Sequence, residues 1–201
     1  MQTDKPVNFQ YQIRLSWILL SLVISLVFYG CDIFTKNDAD DELSKRDVKA
    51  FLAESYFEIP TTDGNSIDFS YFLLDGRSEQ YDINIGKIVF LNFWATWCLP
   101  CKKEMPDIEA LHRLMKDEEF RILAVNLGEK SEKVEKFIDK YLYTFDIIVD
   151  EEKIIAKKLK IMGLPTTFIL DKKGQILGKL MGPKKWNDPT FVEFLKKISR
   201  N

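Results

Sequence analysis

Two cysteines, Cys98 and Cys101, are separated by two residues in the stretch Asn92–Pro106, which reads NFWATWCLPCKKEMP. A buried-looking strand at Ile88–Phe93, which opens with the apolar run Ile88–Leu91, precedes them, and the pattern places both at the start of a helix. Thiols at this spacing can close a small disulfide with little rearrangement. The free N–H groups and positive dipole of a helix start favour a thiolate, so we predict that Cys98 is the nucleophile. Cys101, one turn further on, is the predicted resolving thiol.

Length and composition indicate one domain with appended sequence. The chain has 201 residues, of which 46% are apolar, enough to form one core. Its 29 Lys and Arg residues nearly balance 31 Asp and Glu residues, with no long basic run. We therefore predict no nucleic-acid partner. Three cysteines are an odd number, so the third, Cys31, needs a separate explanation.

The amino-terminal segment contains an apolar run, Leu15–Tyr29, interrupted only by serines. This run is shorter than the roughly 20 residues of a spanning helix and fits a signal-peptide core. It ends in LVFYGC, which resembles the lipobox of bacterial lipoproteins except at Phe28 and Tyr29. We predict that residues 1–30 are a signal peptide or membrane anchor and that Cys31 is the lipidation site. An uncleaved anchor with Cys31 as a bystander and a buried core helix remain alternatives.

Residues 31–56 are predicted to be a polar tether, and residues 57–201 the folded domain. Asp32–Arg46 is rich in charge and cannot bury enough apolar area to fold alone. We interpret its acidic run, Asn37–Glu42, as a solvated spacer rather than a cation site. A short helix is expected at Val48–Phe57, just before the domain.

Strand and helix patterns alternate along the domain. A hairpin of strands 67–74 and 79–83, with Asp75 and Gly76 in its turn, is expected first. The strand and helix of the cysteine stretch follow, with a kink at Pro106. Ser131 is a plausible helix cap, and Asp188-Pro189 has the pattern of a cap followed by the first turn of a last helix. The further elements predicted are strands at 121–127, 145–149, 166–170 and 175–181, and helices at 131–142, 152–160 and 188–198. This order predicts an α/β fold with a central mixed β-sheet flanked by helices.

Three features together resemble thioredoxin-fold proteins: WCLPCK at Trp97–Lys102, Pro106, and GLPTT at Gly163–Thr167. Within that superfamily the chain is similar to the ResA/TlpA/CcmG group of membrane-tethered bacterial thiol-disulfide oxidoreductases. The resemblance spans about Phe57–Arg200. It implies a thioredoxin-like fold with an N-terminal β-hairpin and a central helix-strand insertion at Ser131–Val149.

The resemblance also implies roles for residues outside the cysteine pair. Pro165 would be a cis proline across from the disulfide, and the backbone of Leu164 would pair with a bound substrate strand. Asn92 stands where thioredoxin has a buried, titrating aspartate. Glu104 matches the glutamate that serves this role in ResA-like members, so we expect it to exchange a proton with Cys101. The alternative is a solvated helix glutamate.

The remaining expected contacts to substrate surround the cysteines and the proline. Trp97 flanks the nucleophile, Leu99 and Pro100 lie between the thiols, and Thr166 follows Pro165. These residues and Leu164 form the predicted substrate-binding set, whereas Trp94 is expected to pack in the core.

The predicted function is that of a membrane-tethered, extracytoplasmic thiol-disulfide oxidoreductase in the bacterial cell envelope. Its only redox group would be the Cys98–Cys101 disulfide, without metal or added cofactor. The resemblance implies protein disulfides as substrates, with apocytochrome c the most specific candidate, and an upstream membrane thiol donor. Net oxidation or isomerisation of envelope proteins stays open.

Three further classes compete with this interpretation. A copper site would need another ligand, and His112, the only histidine, is expected on the surface of the cysteine helix. A peroxidatic cysteine usually follows a Pro-x-x-x-Thr-x-x-Cys pattern, but Leu91 and Ala95 hold those positions before Cys98. The last alternative is a structural disulfide in a non-catalytic interaction domain.

Overall fold

A computed structural model describes residues 44–61, 67, 69–81 and 86–201. The predicted signal peptide or anchor, Cys31 and most of the predicted tether lie outside these residues. Within the described part, no helix has the length and apolar character needed to cross a membrane. The strands there are β1 Ser70–Phe72, β2 Ser78–Gln80, β3 Ile88–Trp94, β4 Phe120–Leu127, β5 Asp146–Asp150, β6 Thr166–Leu170 and β7 Ile176–Met181. The helices are α1 Lys45–Glu54, α2 Leu99–Leu114, α3 Ser131–Tyr141, α4 Ile154–Lys158 and α5 Pro189–Arg200.

The central sheet has five strands in the order β5-β4-β3-β6-β7. Strands β3, β4 and β5 are parallel, whereas β6 is antiparallel to β3 and to β7. Helices α2 and α3 provide the crossovers that parallel neighbours require. The structure confirms the predicted mixed α/β sheet.

Strand β3 lies at the centre of the sheet, and all seven of its residues are buried. Successive strand residues point to opposite faces, so its apolar side chains join two cores. Phe90 belongs to a cluster that also holds Leu52 of α1, Ile108 of α2 and Leu195 of α5. Leu91 belongs to the cluster on the other face, which includes side chains of α4 and of the β1-β2 segment. This double burial explains why the sequence of β3 is apolar at every position except Asn92.

The predicted hairpin is present but short. Strands β1 and β2 pair over three residues each, and Gly76 takes a φ of +86° in the connecting turn. Arg121 of β4 ties the hairpin to the main sheet, because its guanidinium contacts Glu79 at 2.7 Å and Asp146 at 2.8 Å. The outer parts of the predicted strands, 67–74 and 79–83, fall partly outside the described residues.

Helix α1 starts earlier than predicted and packs on the domain. The side chain of Ser44 accepts a hydrogen bond from the Asp47 N–H and caps the helix, which ends before Tyr56 at a φ of +69°. Leu52 is buried, and the ring of Phe51 stacks on that of Phe194 of α5 with the two ring centroids 4.0 Å apart. The packed residues therefore extend before position 57, where the sequence placed the start of the domain.

Two further expectations concern helix ends. Ser131 does not cap α3: Lys130 holds the cap position without a side-chain hydrogen bond, and Ser131 is the first helical residue. The prediction was wrong because the cap depends on where the backbone turns helical, which the sequence does not mark here. At α5 the predicted cap is confirmed, since Asp188 accepts from the N–H groups of Thr190 and Phe191. Pro106, the position of the predicted kink, lies inside α2, which continues without a break from Leu99 to Leu114.

Candidate active site

Cys98 and Cys101 form a disulfide, with an S–S distance of 2.02 Å. Cys98 is the N-cap of α2, and the Cys101 N–H donates to its Sγ at 3.3 Å. Cys98 is 4% exposed and Cys101 is 0% exposed. An incoming thiolate must reach the sulfur that it attacks, so the accessible edge of the disulfide is at Cys98.

A four-residue turn connects β3 to this helix. The Cys98 N–H donates to the carbonyl of Ala95 at 3.1 Å, which closes the turn over Thr96 and Trp97. Trp97 is 64% exposed, and Leu99 beyond the disulfide is exposed too. Trp94, by contrast, is fully buried. The predicted substrate-contacting residues on this side, including exposed Pro100, therefore lie at the surface around Cys98.

The second part of the site is the loop before β6. The Leu164–Pro165 peptide bond is cis, as the resemblance implied. Thr166 pairs with Phe93 near the end of β3, which places Pro165 at the edge of the sheet from which the cysteine turn departs. Within the described residues, neither the N–H nor the carbonyl of Leu164 bonds to another backbone group. Leu164 thus keeps the free backbone groups that pairing with an extended peptide requires.

Thr166 does not present its side chain to a substrate. It is fully buried, its hydroxyl donates to the Gly163 carbonyl at 2.7 Å, and its strand pairs with β3 and β7 on its two sides. The sequence suggested a surface role because Thr166 adjoins Pro165. The pairing on both sides makes it part of the support beneath the site.

Glu104 is buried one turn after Cys101 and is 3% exposed. Its carboxylate accepts hydrogen bonds from Asn92 Nδ2 at 3.1 Å, Trp186 Nε1 at 2.9 Å and the Lys184 N–H at 3.3 Å. Burial raises the pKa of Glu104 to about 7, although these three donors act in the lowering direction. The side chain is not a solvated helix glutamate. A carboxyl group with this pKa can accept or release a proton near neutral pH.

The profile of the AhpC/TSA family matches residues 56–178, more than half of the chain. The chain belongs to the AhpC/TSA family. It is 41% identical over 109 residues to the thiol-disulfide oxidoreductase ResA of Geobacillus thermodenitrificans, covering 54% of this chain and 63% of that protein. It thus spans somewhat less than two thirds of that relative's length.

Two further similarities agree with this membership. ResA of Halalkalibacterium halodurans is 37% identical over 162 residues, covering 80% of this chain and 83% of that protein. The crystal structure of StoA from Bacillus subtilis matches with a TM-score of 0.57 at 28% identity, over 67% of this chain and 98% of StoA. These similarities confirm the resemblance to the ResA-like group and the thioredoxin-like fold.

Sequence reasoning missed some residues that support the site of this AhpC/TSA-family chain. Trp186 and Lys184 reach Glu104 from the loop between β7 and α5, some 80 residues away. Glu129 reaches the cysteine turn from the loop after β4, 33 residues from Thr96. No local motif marks these contacts. His112 is half-buried with its ring edge-on to Phe145, and the described residues contain no group of three His, Cys, Asp or Glu side chains suited to a metal ion.

Proposed function

We propose that this chain is a thiol-disulfide oxidoreductase that exchanges its Cys98–Cys101 pair with disulfides of protein substrates. The observation that carries the proposal is a disulfide whose accessible edge is Cys98, with the buried carboxyl of Glu104 one helical turn after Cys101. A purely structural disulfide has no need for a buried carboxyl group that titrates near neutral pH. The names of the relatives support the same reaction class.

In the reducing direction, the Cys98 thiolate attacks one sulfur of a substrate disulfide. A bond forms between Cys98 and that sulfur, the substrate S–S bond breaks, and the departing substrate thiolate takes up a proton. Cys101 then loses its proton to the Glu104 carboxylate and attacks Cys98 Sγ. The intramolecular disulfide forms, the mixed disulfide breaks, and the second substrate thiolate leaves, so two electrons pass from the dithiol to the substrate.

Glu104 has a defined part in the second step. An uncharged Cys101 thiol is a poor nucleophile, and a buried thiol does not ionise readily without a base. A carboxyl group with a pKa of about 7 is divided between its two protonation states at neutral pH and can serve in either direction. In the oxidising direction it returns the proton to Cys101.

The substrate surface includes exposed Trp97, Leu99 and Pro100 on one side and the free backbone of Leu164 on the other. We propose that an extended segment of an oxidised protein lies across Cys98 between these two sides. Apocytochrome c, with its pair of cysteines, is the specific candidate, and an oxidase or isomerase role for other envelope proteins is the alternative. The apolar run before Cys31 supports attachment of the domain to the membrane and reduction by a membrane thiol donor, with no added cofactor.

Cysteine variants of the full chain test the reaction. Cys101→Ser should accumulate a covalent mixed disulfide with an oxidised test protein, because attack by Cys98 proceeds and resolution does not. Cys98→Ser, made together with Cys31→Ser so that no thiol outside the pair can react, should form no such adduct and should lose reduction of the test protein. Cys31→Ser alone is the matched control and should behave as wild type. Adduct formation by the Cys31→Ser/Cys98→Ser protein, or full turnover by either active-site variant, would refute the proposal.

The reduction potential decides the direction. A value near thioredoxin's, roughly −270 mV, would support a reductase, whereas one near roughly −120 mV would identify a disulfide donor. Peroxide consumption no faster than that of a free dithiol would exclude the peroxidase alternative.

A further inference from the structure

Glu129 is a buried carboxylate attached to the turn that carries the nucleophile. It is 6% exposed and lies in the loop after β4. It accepts two hydrogen bonds from Thr96, one from the N–H and one from the hydroxyl, each at 2.6 Å. Asn126 Nδ2 donates to it at 2.9 Å, and Lys133 Nζ pairs with it at 2.6 Å.

These bonds act on the geometry of the disulfide through one short turn. Thr96 is the second residue of the turn that closes from the Cys98 N–H to the Ala95 carbonyl. Cys98, at the end of this turn, is also the N-cap of α2. Fixing Thr96 through both its backbone and its side chain therefore limits where Cys98 Sγ can lie relative to Cys101.

The chain contains the same arrangement a second time, away from the cysteine turn. Glu109 accepts from the N–H and the hydroxyl of Thr144, both at 2.8 Å, and pairs with Arg113 four residues later at 2.9 Å. Like Glu129, it fixes a loop by binding both donors of a threonine. This second arrangement holds the segment before β5 and provides an internal reference for a role in stability alone.

We infer that Glu129 is a positioning residue of the redox centre, which holds the Ala95–Cys98 turn so that Cys98 is placed to form the disulfide with Cys101. The inference rests on the proposed function. Closing a disulfide removes freedom from both thiols, and the reaction becomes more favourable when that freedom is already restricted. The Glu129–Thr96 bonds restrict Cys98 in advance and so favour the disulfide over the dithiol.

The charge state of Glu129 supports a constant rather than a switching role. Burial acts to raise its pKa, but Lys133, Thr96 and Asn126 outweigh that effect and lower the pKa to about 2. The charged group that contacts it from α3 is Lys133. Glu129 thus stays ionised throughout the pH range in which Glu104 gains and loses its proton, so the turn keeps its anchor while the proton moves.

The test is the equilibrium constant for forming the Cys98–Cys101 disulfide, measured with the full chain in glutathione buffers. Glu129→Ala should lower this constant by about tenfold, which corresponds to about 30 mV for a two-electron couple. Thr96→Val removes only the hydroxyl donor and should lower it by about threefold, because one charge-assisted bond of two is lost. Glu129→Gln keeps an acceptor oxygen for the Thr96 N–H and should restore much of the wild-type value.

Matched variants at the second site are the controls. Glu109→Ala and Thr144→Val should reduce thermal stability but leave the equilibrium constant within about twofold of wild type. Equal shifts at the two sites would attribute the effect to general destabilisation and overturn the inference. So would a Thr96→Val constant within about twofold of wild type, and this variant decides the matter should Glu129→Ala fail to fold.

The same measurement separates this inference from the proposed function. Glutathione equilibrates with the chain's own thiols, so no protein substrate is involved. A wild-type chain that fails to reduce or trap protein disulfides would refute the proposed function and leave the Glu129 comparison intact. Normal trapping with unshifted Glu129 and Thr96 variants would refute only the positioning role.

Discussion

Two opposing physical effects set the pKa of the Glu104 side chain. Its burial disfavours the carboxylate, because few water molecules are available to solvate the charge. Asn92, Trp186 and the Lys184 N–H favour the carboxylate, because they donate hydrogen bonds to its oxygens. Burial prevails, and the pKa settles at about 7. A group balanced in this way is sensitive to the loss of any one donor.

The first prediction is that Glu104 makes the oxidised protein less stable as pH rises. The folded pKa of about 7 exceeds the ordinary value of 4.5, so between these values the folded state keeps a proton that the unfolded state releases. The free energy of unfolding should fall over that range by on the order of 3 kcal/mol, and Glu104→Gln should lack this fall. Urea unfolding of both proteins at intervals from pH 4.5 to about pH 8 measures the two slopes of stability against pH.

Glu109 provides a control of opposite sign for that experiment. Burial opposes its ionisation, but Thr144 and Arg113 lower the pKa of Glu109 below its ordinary value. Its stabilising contribution is therefore present above the unfolded pKa and is lost as the pH falls through the folded pKa. Glu109→Gln should cost more stability at neutral than at acidic pH. A Glu104→Gln protein with the same pH slope as wild type would contradict the first prediction.

The second prediction concerns the donor on Trp186. Trp186→Phe removes the indole N–H but keeps an aromatic ring against Phe90, whose centroid lies 4.7 Å away. Since the lost donor favours the charged form, the pKa of Glu104 should rise further above about 7. NMR titration of the Glu104 carboxyl carbon in the oxidised protein would measure this pKa. Trp94→Phe is the control, because the buried Trp94 N–H has no partner within the described residues. This substitution should leave the pKa of Glu104 unchanged.

Residues of the site differ in how far the sequence could predict them. Cys98, Cys101 and Glu104 lie within seven consecutive positions of one helix start, so spacing and resemblance identify them together. Trp186 and Glu129 act on that segment from distant parts of the chain, and their contacts exist only once the sheet is assembled. Thr166 was misplaced because the sequence does not show which strand positions pair on both sides.

Helix α1 and strand β7 meet at Gly178, where side chains come unusually close to the backbone. A Cβ atom added at Gly178 would lie 3.1 Å from two atoms of Phe57 and 3.4 Å from Leu52. Both neighbours are buried, and they have little room to retreat. The absence of a side chain at Gly178 therefore lets Phe57 and Leu52 pack directly against the backbone of β7.

The third prediction follows from that contact. Gly178→Ala should destabilise the protein by about 1–3 kcal/mol, because the added methyl overpacks the interface between α1 and β7. Gly163→Ala is the comparison, since its added Cβ would meet Met181 Sδ at an ordinary 3.5 Å. Chemical denaturation of both variants measures the difference. Equal stabilities for the two would show that the interface can relax around Gly178.

Elements were predictable where one signal dominates. The apolar run Ile88–Leu91 of β3 and the Asp188-Pro189 start of α5 stand out in the sequence, and both elements are present. The start of α3 was not predictable. Ser131 is a good capping residue, but the backbone becomes helical at Ser131 itself, so the cap is the preceding residue, Lys130. Boundaries of this kind depend on φ and ψ at single residues rather than on composition.

At the scale of the whole molecule, the sheet brings separate chain segments to one edge. The cysteine turn leaves β3 at the edge where Pro165 leads into β6, and these two strands are antiparallel neighbours. Alternating strands and helices predicted a mixed sheet but not the strand order β5-β4-β3-β6-β7. That order depends on long-range pairing, which leaves no periodic trace in the sequence.

The fourth prediction concerns the extent of the folding unit, and compares a fragment of residues 43–201 with one of residues 57–201. The first range forms one compact unit. Without α1 the shorter fragment loses the burial of Val48 and Leu52 and the stacking of Phe51 on Phe194. Ordering the helix has an entropic cost that offsets part of this lost burial. We therefore expect the free energy of unfolding of the shorter fragment to be lower than that of the longer one by on the order of 3 kcal/mol. Urea unfolding of the oxidised fragments measures this difference.

Leu52→Ala in the longer fragment should cost about 2–5 kcal/mol, which would show that packing rather than length is responsible. Equal midpoints for the two fragments would instead establish that the domain begins at residue 57 and that α1 is an accessory to it.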